Sequence, residues 1–379
     1  MVPKPVIIGY NTLMLQSLKN AANSRPAVHL KRHWLTVAFF LGFIVDNLTL
    51  NRVDQLFDNV LLFSYVALAM LGILFLYAAT AGKLPESITP HARKFTPLIV
   101  QYAFGGLLSG MLIFYGRSGD WTESWPFLLI ILAVIYFNET IHDRASRLVF
   151  NLSMLFVGLF SYVVLVVPVA TGYMGPWVFL GSGLLALVIM RFFLYALRAV
   201  IPNFFDLQKR SVVFVIGLIF AAFNFLYFTN IIPPIPLSLK EVGIYHSLLR
   251  FDDGTYELKY EKGSWWQFWK RSDTVFHPGK GGDIFCFAKV FAPTRIATDI
   301  YHGWDYYDEE KKEWVRRSRL SYTISGGRDD GYRGYTQISN FKDGKWRCSV
   351  ETARGQVLGR ENFTVDSSKP VGELATKMD

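Results

Sequence analysis

The sequence predicts a multi-span α-helical membrane bundle followed by an all-β, immunoglobulin-like sandwich on the outer side of the bilayer. Three observations point there. Charge is unevenly spread: residues 1–232 hold 16 Lys/Arg and 9 Asp/Glu, whereas residues 233–379 hold 23 and 21. Long apolar runs give way to period-two alternation after Pro233-Pro234-Ile235-Pro236, which cannot continue a helix. The basic residues between the apolar runs also favour one side of the membrane. With 51% hydrophobic and 18% charged residues and a mean hydropathy of +0.26, the 379-residue chain is too apolar for an ordinary soluble domain. Its net charge of +9 sits mostly between apolar spans, which argues for membrane topology and against nucleic-acid binding.

A helix needs about 20 apolar residues to cross a bilayer. Seven stretches qualify: Trp34–Leu50, Asn59–Thr80, Phe95–Tyr115, Ser124–Asn138, Leu148–Ala170, Gly175–Leu197 and Ser211–Ile232. The first and fourth are short, so six spans is the alternative count. Leu148–Met190 carries no charge and is too long for one span, so the turn chemistry of Thr171–Pro176 divides it. Residues 1–33 form a cytoplasmic segment in which Ile7–Lys19 is either an interfacial helix or an irregular tail. With no apolar signal-peptide core in the first 30 residues, targeting would rest on the first span. An inside N-terminus assigns thirteen Lys/Arg to inner segments and two, Arg52 and Arg117, to outer loops. The C-terminal half then lies outside.

Residues 233–239 read as a proline-rich linker, 240–366 as the β-domain and 367–379 as a tail. Candidate strands are Thr255–Tyr260, Ile284–Val290, Ala297–Trp304, Arg319–Ile324, Trp346–Thr352 and Asn362–Val365, separated by Gly-containing turns. The order Cys286, Trp304, Cys348 is loosely that of an immunoglobulin core. An oxidising compartment would permit Cys286 and Cys348 to pair across the two sheets. No CxxC pair or Cys/His cluster at metal-ligand spacing is present, so neither a metal nor a cofactor is expected.

Phe287-Ala288-Lys289-Val290-Phe291-Ala292-Pro293-Thr294 with Ile300-Tyr301-His302-Gly303-Trp304 resembles the F-x-x-V-F-A-P-T … I-x-H-x-W run of a bacterial domain family of unknown function. The Gly326–Thr336 segment is similar to that family's G-G-R-x-x-G-Y-R-G-Y loop, and Gly344–Arg347 and Gly355–Arg360 to its last two strands. This match covers about residues 240–366. Residues 42–52 and Asn138-Glu139 resemble, more loosely, the membrane region that often precedes the domain. The resemblance implies a bacterial cell-envelope protein in the inner membrane with a periplasmic domain, and it implies no activity. Neither cysteine belongs to the family pattern.

Polar residues at membrane depth are functional candidates: Asp46, Arg52, Gln101, Glu139, Arg144, Arg191 and Asn224. Most cluster at the two interfaces, so pairing of Asp46 with Arg52, and of Glu139 with Arg144 or Arg191, is the structural alternative. Gly106-xxx-Gly110 and Gly181-x-Gly183 offer close helix contacts. The last span has no lysine for a retinal Schiff base.

In the outer domain, Arg328, Arg333 and Tyr335 sit in a glycine-rich loop suited to gripping a carboxylate, phosphate or glycan. The loop's own carbonyls are the competing partners. His302 and Trp304 are further candidates for a partner surface, and a histidine bonded within the sandwich is the alternative. Trp265–Arg271 suits a membrane interface or a partner surface, or packs on the sandwich edge. Without a nucleophile in a recognisable setting, no catalytic residue is assigned. The expected function is a membrane-anchored binding, scaffold or accessory protein that recognises an envelope protein or polymer. A transporter or lipid-handling membrane protein, needing a continuous solvated cavity that reaches Gln101 and Asn224, is the alternative. An envelope enzyme, needing His302, Arg328 and Asp305 in one cleft, is the third reading.

Overall fold

A computed structural model describes residues 43–140, 147–262, 271–279 and 281–379. Most of the first candidate span, Ile7–Lys19, Arg144 and the tryptophans at 265, 266 and 269 lie outside the described residues. Seven helices are described: α1 (residues 43–49), α2 (Leu56–Thr80), α3 (Thr89–Ser118), α4 (Trp121–Thr140), α5 (Leu148–Thr171), α6 (Pro176–Val200) and α7 (Pro202–Phe228). Five of them, α2, α3, α5, α6 and α7, are long and apolar enough to cross a membrane, and the apolar stretch of α4, Thr122–Asn138, is shorter.

Local chemistry explains the boundaries. Proline opens α6 and α7, where its missing N–H costs no helical bond. Gly172, at φ 77°, ends α5 and donates to the Pro168 carbonyl at 2.8 Å, so the divided apolar run turns where its glycine allows a left-handed residue. Gly106 and Gly110 let α2 close on α3: a Cβ at either would lie 2.5 Å from the Tyr65 ring or 2.7 Å from Leu62. That stripe tightens the bundle.

The turns before α2, between α3 and α4, and between α5 and α6 meet the β-domain, as does the end of α7. The α2–α3 and α6–α7 connections lie at the other end, where Lys83 Nζ donates to the Ala199 carbonyl at 2.9 Å. Alternation of helix direction therefore places the loops predicted as outer on the domain's side.

Eleven strands follow: β1 (Ser238–Tyr245), β2 (Ser247–Arg250), β3 (Tyr256–Glu261), β4 (Val275–Phe276), β5 (Ile284–Phe291), β6 (Ala297–Asp308), β7 (Glu313–Ser325), β8 (Tyr332–Ile338), β9 (Gly344–Thr352), β10 (Val357–Val365) and β11 (Leu374–Met378). They form sheets ordered β1-β5-β8, β4-β10-β9-β6-β7 and β11-β3-β2. Cys286 on β5 and Cys348 on β9 are disulfide-bonded, with sulfurs 2.08 Å and Cα atoms 6.5 Å apart, so the bridge ties the first sheet to the second. Trp304, Trp346, Ile244 and Phe363 pack around it.

Two boundaries differ from expectation. The linker is shorter, because β1 begins at Ser238, and the supposed 367–379 tail contains β11, which pairs antiparallel with β3 from Leu374↔Glu261 to Met378↔Glu257. Burial of Leu237 at the start and pairing of β11 at the end recruit both flanks into the domain.

Candidate functional site

The bundle holds the domain through side chains from four separate places. Arg52 pairs with Asp54 at 2.7 Å and with Asp329 of the domain, and lies over the Phe291 ring. Asp54 also accepts from the Thr294 backbone and hydroxyl, at 3.2 and 3.0 Å. Burial opposes ionisation of Asp54, but the bonds from Arg52 and Thr294 outweigh it and hold the carboxyl below its ordinary range. Arg360 pairs with Glu123 at 2.5 Å. Arg354 lies over the Tyr227 ring at 4.2 Å and Gln356 donates to the Ile232 carbonyl at 3.0 Å, both at the end of α7, and Arg295 donates to the Ala170 carbonyl beside the α5–α6 turn at 3.5 Å.

Arg52 therefore does not pair with Asp46, the partner that sequence proximity offered. Asp46 instead accepts from the Tyr65 hydroxyl at 3.5 Å. Arg117 closes the α1 end by donating to the carbonyls of Leu50 and Asn47, at 2.7 and 3.0 Å. Gln101 and Asn224 are half-buried on α3 and α7, and Asn224 donates to the Phe220 carbonyl of its own helix at 2.8 Å. Neither lines any cavity described below. Arg191 is exposed on α6, and of Glu139 only the backbone in α4 is described.

Within the domain, His302 and Trp304 are corrected from partner candidates to core residues, each 0% exposed. Alternation along β6 turns both inward, where His302 Nδ1 and Trp304 Nε1 each lie 3.0 Å from the Thr336 hydroxyl. The Tyr322 hydroxyl lies 3.0 Å from His302 Nε2. Burial pushes the imidazole pKa down to about 3, so it is neutral at ordinary pH. Cys286, His302 and Cys348 put ligand atoms within 4.8 Å of one another. The sulfurs are bonded to each other, however, and both ring nitrogens have partners.

Asp305 faces the opposite side of that sheet, so His302, Arg328 and Asp305 do not converge. Arg316 and Arg347 both bond Asp305, the latter at 2.7 Å, while Arg316 and Arg319 bond Glu351 at 2.6 and 3.3 Å. Gly303 makes room for this network: a Cβ there would lie 2.5 Å from Arg316 Nη1. Burial lowers the Arg316 pKa, and bonds to Glu351 and Asp305 more than reverse the effect. The network satisfies itself and stiffens the sheet.

The Gly326–Thr336 segment splits in two. Arg328 is exposed and stacks over Tyr332 at 5.3 Å. Arg333 turns inward from β8 to Asp379 at 3.4 Å, and Tyr335 is 40% exposed between Tyr256 and Phe285. Asp379 leads to the site that sequence inspection missed, a charged cleft of about 750 Å³ where β1, β5, β10 and β11 meet. The side chains of Lys240, Arg271, Lys289 and Lys377 line it against the carboxylates of Glu241, Glu361 and Asp379. Lys289 bridges Glu241 at 3.4 Å and also bonds Asp379, and Lys377 bonds Glu241. Ser272 donates to Glu361 at 3.3 Å. Burial and the nearby Glu241 push the Tyr245 phenol above its ordinary range. The clue in the sequence was the alternation Lys240, Val242 and Lys377, Asp379 in and just after strands that were not predicted.

Comparison with known proteins leaves the activity open. The model of a family described as a protein of unknown function (DUF2914) matches residues 297–365, which run from β6 to β10. No curated protein gives a significant match. Among solved structures, the chain is matched to Pseudomonas fluorescens alkylpurine DNA glycosylase AlkC bound to DNA containing an abasic site analog. Identity is 12% and the TM-score 0.18, over 88% of this chain and 81% of that one, and so low a score carries no argument.

Proposed function

We propose that this chain is a bacterial inner-membrane binding or scaffold protein that holds an immunoglobulin-like periplasmic domain against the outer face of the bilayer. The domain recognises a carboxylate- or phosphate-bearing segment of an envelope partner. The observation that carries this reading is the charged cleft, with two cations outside its ion pairs, in a domain clamped to the bundle at four places. A bridge between facing sheets with Trp304 beside it supports the immunoglobulin-like description. Two exposed basic groups, Lys240 and Arg271, stand at the cleft outside its ion pairs among the described residues.

Exchanging Lys240 and Arg271 together for alanine should remove a partner that copurifies in mild detergent, with membrane insertion unchanged. Unaltered copurification would reject the cleft as the recognition site. Orientation is checked separately: a reporter active only in the periplasm should work when fused after Val365 and fail when fused within residues 81–88. A silent C-terminal fusion would overturn the outside placement.

A further inference from the structure

We propose that the groove between α6 and α7 binds an anionic phospholipid in the leaflet remote from the β-domain. These two helices are the least buried of the five long apolar ones. Between them lies a cavity of about 540 Å³ whose apolar wall includes Leu187, Met190, Leu194, Val213 and Ile216. Gly217 also lines it, and a Cβ there would meet no atom within 4 Å, so the wall is open along this stretch.

Arg191, Arg198 and Lys209 line the same cavity. Asp206 takes the charge of Arg198 at 3.0 Å. Arg191 and Lys209 form no ion pair among the described residues. From residue 148 to residue 228, Asp206 is the single acid, against Arg191, Arg198, Lys209 and Arg210. At 1.5 Å per residue, Arg191 stands about 14 Å above the end of α6 and Lys209 about 10 Å above the start of α7. The two unpaired cations thus flank the groove at similar heights, with apolar wall above them toward the membrane centre. A phosphate between them and an acyl chain along the wall satisfies both features. Zwitterionic lipid offers the same chain without the net negative charge.

The full chain, purified in mild detergent, is titrated with dioleoylphosphatidylglycerol or dioleoylphosphatidylcholine, and bound lipid is counted by native mass spectrometry. Wild type should prefer the anionic lipid. Arg191→Gln with Lys209→Gln should weaken its retention about thirtyfold, the combined attraction of two basic groups for an anionic headgroup. Arg191→Lys should keep the preference, which separates lost charge from misfolding. Gly217→Leu should weaken both lipids by filling the groove. Lys94→Gln, which removes an exposed charge on α3 from the same end of the bundle, should change nothing. Equal retention of both lipids by wild type, an equal loss in Lys94→Gln, or displacement of lipid by inorganic phosphate would each overturn the proposal.

Discussion

Breaking the Cys286–Cys348 bridge should cost the β-domain about 4 kcal/mol. The two residues are 62 apart in sequence. Closing a loop of that length removes about 14 cal/mol/K of entropy from the unfolded chain, which at 25 °C gives that figure. Both cysteines are fully buried, so reductant reaches them only on unfolding. The reduced sample is therefore made by reducing the full chain in urea and removing the denaturant under reductant. Oxidised and reduced chains, both in detergent, are then incubated across a urea series and given a brief protease pulse, and survival of the domain fragment is followed. With a urea dependence of about 2 kcal/mol/M, the midpoint should fall by about 2 M on reduction. A fall of less than about 0.5 M would refute the argument, because the bridge would then not constrain the unfolded domain.

The same assay reads pH. His302 is held neutral by a native pKa near 3, against an ordinary value of 6.5, so its own contribution is intact above pH 6.5 and falls as pH drops toward 3, by about 2 kcal/mol at pH 5, a loss to be read in the Asp273→Asn chain because Asp273 opposes it in the wild type. Asp273 behaves oppositely: burial raises its pKa to about 8, so its contribution is greatest below its ordinary 3.8 and is lost progressively as pH rises from there through 8. Asp273→Asn keeps the oxygen that accepts the Glu261 N–H at 2.7 Å and should remove that loss between pH 3.8 and 8, which a pH series of urea midpoints will show. Arg333→Ala should destabilise the domain by about 1–2 kcal/mol by uncoupling Asp379, whereas Arg328→Ala should leave the urea midpoint unchanged. Arg52→Ala alone should leave the domain clamped, but exchanging Arg52, Arg354 and Arg360 together should expose residues 233–237 to protease in intact vesicles.

Hydropathy made the long spans legible because each is a local property of one continuous stretch, and the glycine and proline chemistry of Thr171–Pro176 located a turn that hydropathy alone could not. Six strands were readable from alternation for the same reason. Three of the five strands that escaped do so for identifiable causes. In β1 a bulge between Leu239 and Glu241 breaks the period of two. In β8, Gly334 looks like a loop glycine, yet a Cβ there would lie 2.0 Å from the Tyr322 ring, so it is a packing glycine between strands. β11 is five residues long and pairs with β3, more than a hundred positions away.

Charge partners were the least legible feature, since an ion pair depends on the fold bringing distant positions together. Arg52 lay near Asp46 in sequence, yet it pairs with Asp54, two residues on, and with Asp329, 277 residues on. Arg333 was noticed, and its partner Asp379 was assigned to a tail.

Those distant pairs also decide how the domain can work. Five residues separate Ile232 from β1, and Ile232 and Leu237 at either end of them are fully buried. A segment so short and so packed cannot act as a flexible tether. Contacts from the turn before α2, the α3–α4 turn, the α5–α6 turn and the end of α7 surround the exit point, so rotation about it would break several of them together. Each contact is modest by itself, and partly exposed pairs such as Arg52–Asp329 contribute little alone. Their value is geometric, because attachments from the ends of several helices restrain the domain together more than any one does alone. β1 follows the exit directly and contributes Lys240 and Glu241 to the cleft. The cleft is thereby held at a fixed distance from the membrane end of the bundle, which suits capture of a partner that is itself anchored or layered at a set height.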